Sequence, residues 1–101
     1  MKPHLEALKR AIADGQAQLV DVRERGEWDA GHLRQATLVP LSDLSAKKPP
    51  VGLDKNKEIH VHCRSGNRVR QAAPLLASLG YRVVEVREGF DELVREGFER
   101  A

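Results

Sequence analysis

The sequence predicts an α/β protein with a small, mostly parallel central sheet of four to five strands, flanked by helices on both faces. Short apolar runs of strand length alternate along the chain with longer segments whose apolar residues recur at helical spacing. Glycine, proline and charged residues separate these segments. Strands that alternate with helices run in the same direction, because each connection passes through a helix, and a parallel sheet results.

The amino-terminal segment predicts one helix and one strand. Leu5, Leu8 and Ile12 recur at helical spacing and predict an amphipathic helix over residues 3–14. The apolar run Leu19–Val22 then predicts a short strand. These two segments form the first unit of the expected sheet.

The segment that follows is charged and contains shorter elements. Residues 23–32 predict a turn and one helical piece, and Ala36–Val39 predicts a second strand that Pro40 ends. Ser42 is placed to cap a brief helix that runs to Ala46.

A strand, a loop and a helix surround residue 63. A loop over residues 47–57 leads into the strand Glu58–His62, and Gly80 ends the helix that follows. Pro74 lies inside that helical pattern, where its missing N–H predicts a kink or a late helix start. The helix should bury one apolar face, formed by Val69, Ala72, Ala73, Leu76 and Leu79.

The carboxyl-terminal segment repeats the pattern once more. Val83–Val86 predicts a strand, Gly89 a turn and Asp91–Glu96 a short final helix. In sheets of this kind, ligands bind beyond the carboxyl ends of the strands, which is where Cys63 falls.

Size, charge and cysteine content exclude several classes of protein. With 101 residues, the chain predicts one domain over residues 1–101. A lone cysteine cannot form an internal disulfide, and no apolar run approaches the length of a membrane span, so we expect a soluble, cytoplasmic protein that binds no membrane. The formal charge of +2, with few aromatic residues, gives no footprint for nucleic acid.

Cys63 is predicted to be a reactive thiolate, although a lone cysteine is more often a buried apolar residue. It stands between the carboxyl end of a strand and the amino end of a helix, where backbone N–H groups and the helix dipole concentrate positive charge. Arg64 and Arg68 add two guanidinium groups. Together these features favour an ionised sulfur that is open to solvent.

Several segments of the chain carry a resemblance to a known family, among them Leu19–Arg23, Cys63–Arg68 and Val86–Gly89. Their order and spacing resemble those of a single rhodanese domain over nearly the whole chain. Cys63–Arg68 resembles the six-residue active-site loop of that family, and Val86–Gly89 resembles the strand and turn after the loop helix. Val69 departs from the pattern, since the family often has a serine there that can donate to the sulfur. The amino-terminal signature of the family is matched by Leu19–Arg23, Glu27, Gly31–Leu33, Ala36 and Pro40.

The resemblance implies a thiosulfate sulfurtransferase, that is, a rhodanese-type transferase. The Cys63 thiolate would take the outer sulfur from thiosulfate or a similar small anionic donor and hold it as a persulfide. The acceptor would be a thiol or cyanide, with thioredoxin or another sulfur-accepting protein among the candidates. No metal and no organic cofactor is needed. Substrate binding is implied for Arg64, Ser65, Gly66, Asn67 and Arg68.

Two other functions remain open at the level of sequence. His62 and Cys63 resemble the cysteine site of tyrosine phosphatases, but those loops hold five residues between cysteine and arginine, whereas four separate Cys63 from Arg68. The smaller ring suits one sulfur atom better than a tetrahedral oxyanion, which disfavours a cysteine-dependent phosphatase or arsenate reductase. A non-catalytic rhodanese-like binding or sensing module is disfavoured because the chain keeps the loop cysteine, arginines and glycine.

The histidines near the cysteine are assigned to structure. Alternation along a strand turns His60 and His62 to the face opposite Cys63, so the three cannot easily converge on a metal ion. For the same reason His62 is not expected to tune the thiol. Three further residues are assigned to turns and ion pairs at the rim of the sheet: Asp21, Arg23 and His32.

Overall fold

The computed structural model describes residues 1–101 and shows four strands and five helices in alternation. The α/β class predicted from the sequence is confirmed, with four strands in the sheet. The strands are β1 (Ala17–Asp21), β2 (Ala36–Leu38), β3 (Glu58–His62) and β4 (Val83–Glu85). The helices are α1 (Pro3–Ala13), α2 (Arg25–Ala30), α3 (Leu41–Ser45), α4 (Asn67–Ser78) and α5 (Phe90–Arg95).

The four strands form one parallel sheet in the order β2-β1-β3-β4. β1 and β3 occupy the centre, and their register sets Val20 beside Val61 and Asp21 beside His62. Because both strands run in the same direction, their carboxyl ends meet at one edge of the sheet. The residues that follow β1 and β3 therefore share one small region, and Cys63 lies in it.

One apolar layer lies on each face of the sheet. On one side, called the α4 face below, Leu44 and Leu76 from α3 and α4 pack in one cluster with Val61 of β3. On the other side, the α1 face, α1 and α5 contribute Leu5 and Leu93. Helices thus cover both faces, as predicted. None of the five helices has both the length and the apolar composition required to cross a bilayer.

Of the kink or late helix start predicted at Pro74, the late start is wrong, and the kink stays a prediction. α4 runs as one helix from Asn67 to Ser78 with Pro74 inside it. Pro74 is exposed, so solvent can reach the carbonyl that its ring leaves unbonded, while the buried side of the helix, which includes Leu76, holds the helix on the sheet. Leu79, expected on that buried side, is exposed instead.

The expected capping role of Ser42 is also wrong. α3 begins at Leu41, and Pro40 occupies the position that precedes the helix. The Ser42 hydroxyl donates to the Oε1 atom of Glu24 at 2.5 Å, and its backbone N–H donates to Oε2 at 3.2 Å. Ser42 therefore joins α3 to the residue before α2.

Candidate active site

Cys63 follows β3 directly and points into the α4 face. Ile59 and Val61, the alternate residues before it, belong to the same apolar cluster. Cys63 is 1% exposed, so the expectation of a thiol open to solvent is wrong. The cause is strand alternation, because the pattern that turns His62 to the opposite face also directs Cys63 into the apolar layer.

Residues 63–68, called the thiol loop below, fold back into a ring around the sulfur. One backbone amide of this ring donates to the sulfur. The N–H of Gly66 donates to Sγ at 3.0 Å. Gly66 has a φ of 91°, a left-handed conformation that glycine adopts easily and that closes the ring before α4 begins. Four further amides of the ring donate to no protein acceptor: those of Arg64, Ser65, Asn67 and Arg68.

The start of α5 holds the loop from a second direction. The backbone N–H of Phe90 donates to the carbonyl oxygen of Cys63 at 3.0 Å. A Cβ atom at Gly89 would overlap the carbonyl oxygen of Arg64, so the approach of this turn requires glycine. The thiol loop is therefore fixed by α4 at one end and by α5 along its backbone.

Arg68, which the sequence assigned to substrate binding, is paired with Glu27 of α2. The two guanidinium nitrogens donate to the two carboxylate oxygens at 2.5 and 2.8 Å. The side chains are 27% and 31% exposed. The hydrogen bond from Arg68 lowers the pKa of Glu27 to about 2, and the same bond raises the pKa of Arg68. Arg68 thus lies at the loop, but its guanidinium is already paired with the Glu27 carboxylate.

The other residues assigned to substrate binding lie nearer to solvent. Arg64, Ser65 and Asn67 are exposed, and Gly66 is half-buried. Arg64 pairs with no carboxylate of the chain. Its guanidinium is therefore free to meet an anion.

A second ion pair lies at the same edge of the sheet. Asp21 accepts from the backbone N–H of Arg23 at 2.9 Å and from its guanidinium at 2.9 to 3.1 Å. Both residues are buried, at 0% and 4% exposure. Arg23 also donates to the carbonyl of Gly31 at 2.8 Å and lies 4.1 Å from the centre of the Phe90 ring. The rim ion pair predicted from the sequence is confirmed.

His62 is fully buried beside Asp21, with 3.9 Å between Nε2 and Oδ2, and neither ring nitrogen has a hydrogen-bond partner. Burial lowers the pKa of His62, and the Asp21 carboxylate opposes this shift in part. His60 lines a cavity on the α1 face together with Leu5 and Leu8. Both histidines therefore lie on the face opposite Cys63, as strand alternation predicted.

His32 is held within its own turn. Its Nδ1 atom lies 3.0 Å from the carbonyl oxygen of Trp28. Its ring stacks on the Trp28 ring with 3.7 Å between centroids and 3° between planes. The structural role predicted for His32 is confirmed.

A cavity of about 300 Å³, called the side cavity below, opens beside the thiol loop. Its wall includes Glu27, Arg64, Phe90, Asp91 and Arg100. The sequence did not assign Asp91 or Arg100 to a site, and Glu27 entered only as part of the amino-terminal signature of the family. These residues come from segments far apart in the chain, so apart from that signature no local pattern indicates that they meet.

The fold and the loop define a class of small α/β proteins that present a cysteine between a parallel strand and a helix. Within that class, the chain matches the rhodanese-like domain family over residues 4–96, and it belongs to this family.

Several relatives of the chain carry sulfur-transfer names. The chain is 38% identical over 84 residues to the putative sulfurtransferase YtwF of Bacillus subtilis. This match covers 82% of this chain and 80% of YtwF. It is 34% identical over 92 residues to the human thiosulfate:glutathione sulfurtransferase, covering 76% and 77% of the two chains. A further Bacillus subtilis relative, the uncharacterized protein YqhL, is 38% identical over 64 residues, 63% of this chain, and the match spans 49% of its length.

A solved structure supports the same assignment. The human single-domain sulfurtransferase TSTD1 superimposes with a TM-score of 0.75 at 27% identity. The match covers 91% of this chain and 93% of the human one. The parallel sheet and its helices are therefore those of the rhodanese-like fold.

Proposed function

We propose that the chain is a thiosulfate sulfurtransferase in which Cys63 carries the transferred sulfur as a persulfide. The ring over Cys63 carries the proposal, since one amide already donates to Sγ and four more have no protein acceptor. The outer sulfur of a persulfide is anionic and is stabilised by such donors. Membership of the rhodanese-like family and the names of its relatives support the same reaction.

The proposed reaction consists of two displacements. The Cys63 thiolate attacks the outer sulfur of thiosulfate, the S–S bond of the donor breaks, and sulfite leaves with the electron pair. An acceptor thiolate then attacks the outer sulfur of the persulfide, and cleavage of that S–S bond restores the Cys63 thiolate. Arg64, exposed and without a carboxylate partner, binds the donor and stabilises the departing sulfite. Arg68 contributes when the donor displaces Glu27.

The burial of Cys63 favours a small donor. At 1% exposure, the residue is reached only by a molecule that can enter the loop. Thiosulfate and similar small anions meet this requirement, whereas a disulfide held within a folded protein does not. We expect methyl methanethiosulfonate to modify Cys63 much faster than a bulky aromatic disulfide does, and equal rates would contradict the size limit.

The proposed acceptor is a thiol or cyanide, with thioredoxin or another sulfur-accepting protein as the macromolecular candidate. The human relative, named a thiosulfate:glutathione sulfurtransferase, supports a low-molecular-weight thiol. The two displacements use no metal ion and no organic cofactor. A reducing compartment such as the cytoplasm suits a lone cysteine that must return to the free thiol after each turnover.

Mass spectrometry of the intact protein after incubation with thiosulfate tests the proposal. We expect a gain of one sulfur atom on Cys63 that dithiothreitol removes. Cys63→Ser should show neither this gain nor transfer of sulfur from thiosulfate to cyanide, with an unchanged circular dichroism spectrum. Turnover in Cys63→Ser, or a wild-type protein that takes up no sulfur, contradicts the assignment.

A further inference from the structure

The side cavity borders the first residue after Cys63, and its wall also includes the carboxylate partner of Arg68. Arg64, in its wall, is the residue directly after Cys63. Glu27, also in its wall, holds Arg68 at the far end of the ring. Phe90 lines the cavity and donates its N–H to the carbonyl of Cys63 at 3.0 Å. A molecule bound in this cavity therefore lies beside the loop that carries Cys63.

Two guanidinium groups of the cavity wall have no carboxylate partner. Arg64 and Arg100 are both exposed, and neither forms an ion pair within the chain. Arg100 makes one long hydrogen bond, from a terminal nitrogen to the carbonyl of Ala30 at 3.4 Å, so most of its N–H donors are unused. Two cations that share a cavity repel each other, and a bound anion relieves that repulsion.

The backbone and the packing fix Arg100 in this position. Arg100 forms an antiparallel bridge with Leu33, and backbone hydrogen bonds of 2.8 Å lie on either side of it. Its guanidinium lies 5.5 Å from the centre of the Phe90 ring. The guanidinium also lies close against the backbone of Gly31. The side chain is thus directed into the cavity wall by several contacts.

The remaining charges of the wall indicate which anion fits. Arg23 is neutralised by Asp21, and Glu27 is neutralised by its arginine partner, so neither pair adds net charge. Asp91 lines the cavity without an ion pair and offsets one of the two free guanidinium groups. The cavity therefore carries a single net positive charge, which one carboxylate neutralises. Its volume of about 300 Å³ leaves room for the rest of a small organic molecule beside that carboxylate.

We propose that the side cavity binds the carboxylate of a small organic thiol that accepts the sulfur from Cys63, with Arg100 as its principal contact. The planar guanidinium can donate to both carboxylate oxygens. The acceptor thiolate attacks the outer persulfide sulfur, the S–S bond to Cys63 breaks, its electron pair returns to Sγ, and the acceptor leaves as an organic persulfide. This inference rests on the proposed function.

The test compares two acceptors of equal chain length, 3-mercaptopropionate and the uncharged 3-mercapto-1-propanol, with thiosulfate as donor. In Arg100→Gln, the ratio of kcat/KM for the charged over the uncharged acceptor should fall about tenfold, the value expected for loss of a charge-assisted hydrogen bond. Arg95→Gln removes an exposed arginine of α5 outside the cavity wall and should leave the ratio unchanged. An unchanged ratio in Arg100→Gln overturns the proposal.

A direct binding measurement separates this inference from the proposed function. 3-Mercaptopropionate is titrated into Cys63→Ser and into Cys63→Ser with Arg100→Gln, and the amide resonances of Gly31 and Phe90 are followed by NMR. Shifts in the first protein and none in the second support the cavity even if no persulfide ever forms. Equal shifts in both overturn it. Slower persulfide formation from thiosulfate in Arg100→Gln, with unchanged acceptor selectivity, assigns the cavity to the donor and also overturns it.

Discussion

Two arginine–carboxylate pairs lie close to the thiol loop, and they differ in burial. The pair of Asp21 and Arg23 is almost completely removed from solvent. In the pair of Glu27 and Arg68, each side chain is more than a quarter exposed. Multiple hydrogen bonds join the arginine and the carboxylate in both pairs. The two pairs therefore differ in solvent exposure and not in the kind of contact.

The difference separates a structural pair from an adjustable one. A buried charge that loses its partner is left in a medium of low dielectric constant, which costs several kcal/mol, so the pair of Asp21 and Arg23 cannot exchange partners. A half-exposed pair opens into water at a cost of about 1 kcal/mol or less. Arg68 can therefore leave Glu27 for an incoming anion, whereas Arg23 cannot leave Asp21.

The largest effect is expected at the buried pair. Arg23→Ala leaves the Asp21 carboxylate buried without a cation and should lower the free energy of unfolding by about 3–5 kcal/mol. Urea denaturation followed by circular dichroism measures this value. Arg25→Ala, at an exposed position in α2, is the matched control and should change it by less than about 0.5 kcal/mol. A similar small loss in both variants would remove the distinction between the two pairs.

His62 extends the comparison to pH. Burial lowers its pKa in the folded state, so the unfolded chain, with a pKa near 6.5, binds the proton first. The free energy of unfolding should therefore fall as the pH drops below 6.5, by up to about 1.4 kcal/mol per pH unit. Asp21 and Arg23 are the charged groups that modify the pKa of His62 in the folded state. Urea denaturation at several pH values should show the loss in the wild type and not in His62→Gln. Parallel pH profiles for the two proteins would contradict the prediction.

Glu27→Gln should test the adjustable pair. The variant is expected to lose about 1 kcal/mol of stability or less. Its kcat/KM for thiosulfate should rise by up to about fivefold, because the donor no longer competes with a carboxylate for Arg68. Asp29→Asn, an exposed acid on the same helix, serves as the control. A lower kcat/KM in Glu27→Gln would assign Arg68 to the structure of the loop.

The smallest effect concerns the pH window of this pair. The pKa of Glu27 is about 2 in the folded protein against an ordinary value of 4.5. Because the folded value is the lower one, the stabilisation by Glu27 is complete above pH 4.5 and is lost as the pH falls toward about 2. The difference in unfolding free energy between the wild type and Glu27→Gln should shrink across that interval. A difference that persists unchanged at pH 2 would contradict the assignment.

The sequence predicts well those features that depend on neighbours in the chain. The strand before Cys63 and the helix after it follow from apolar periodicity and from Gly80, and both elements are present. The burial of Cys63 follows from the same alternation that placed His62, but the positive charge around the loop suggested an exposed thiol.

Contacts between distant segments could not be predicted in this way. Glu27 and Arg68 are 41 positions apart, and their pairing depends on how α2 lies against the loop. Arg100 reaches the side cavity only because its backbone bridges to Leu33. Such placements are set by tertiary packing, which residue spacing does not encode.

The contact between α5 and the thiol loop has a practical consequence for engineering. Gly89 abuts the carbonyl of Arg64, and the amide of Phe90 bonds to Cys63, so a change in the tilt of α5 displaces the nucleophile. Leu93, on the underside of α5, sets that tilt through its packing in the α1 face. Mutant libraries that seek new sulfur donors should therefore randomise this underside as well as the loop, because reactivity can be altered there without touching any group that meets substrate.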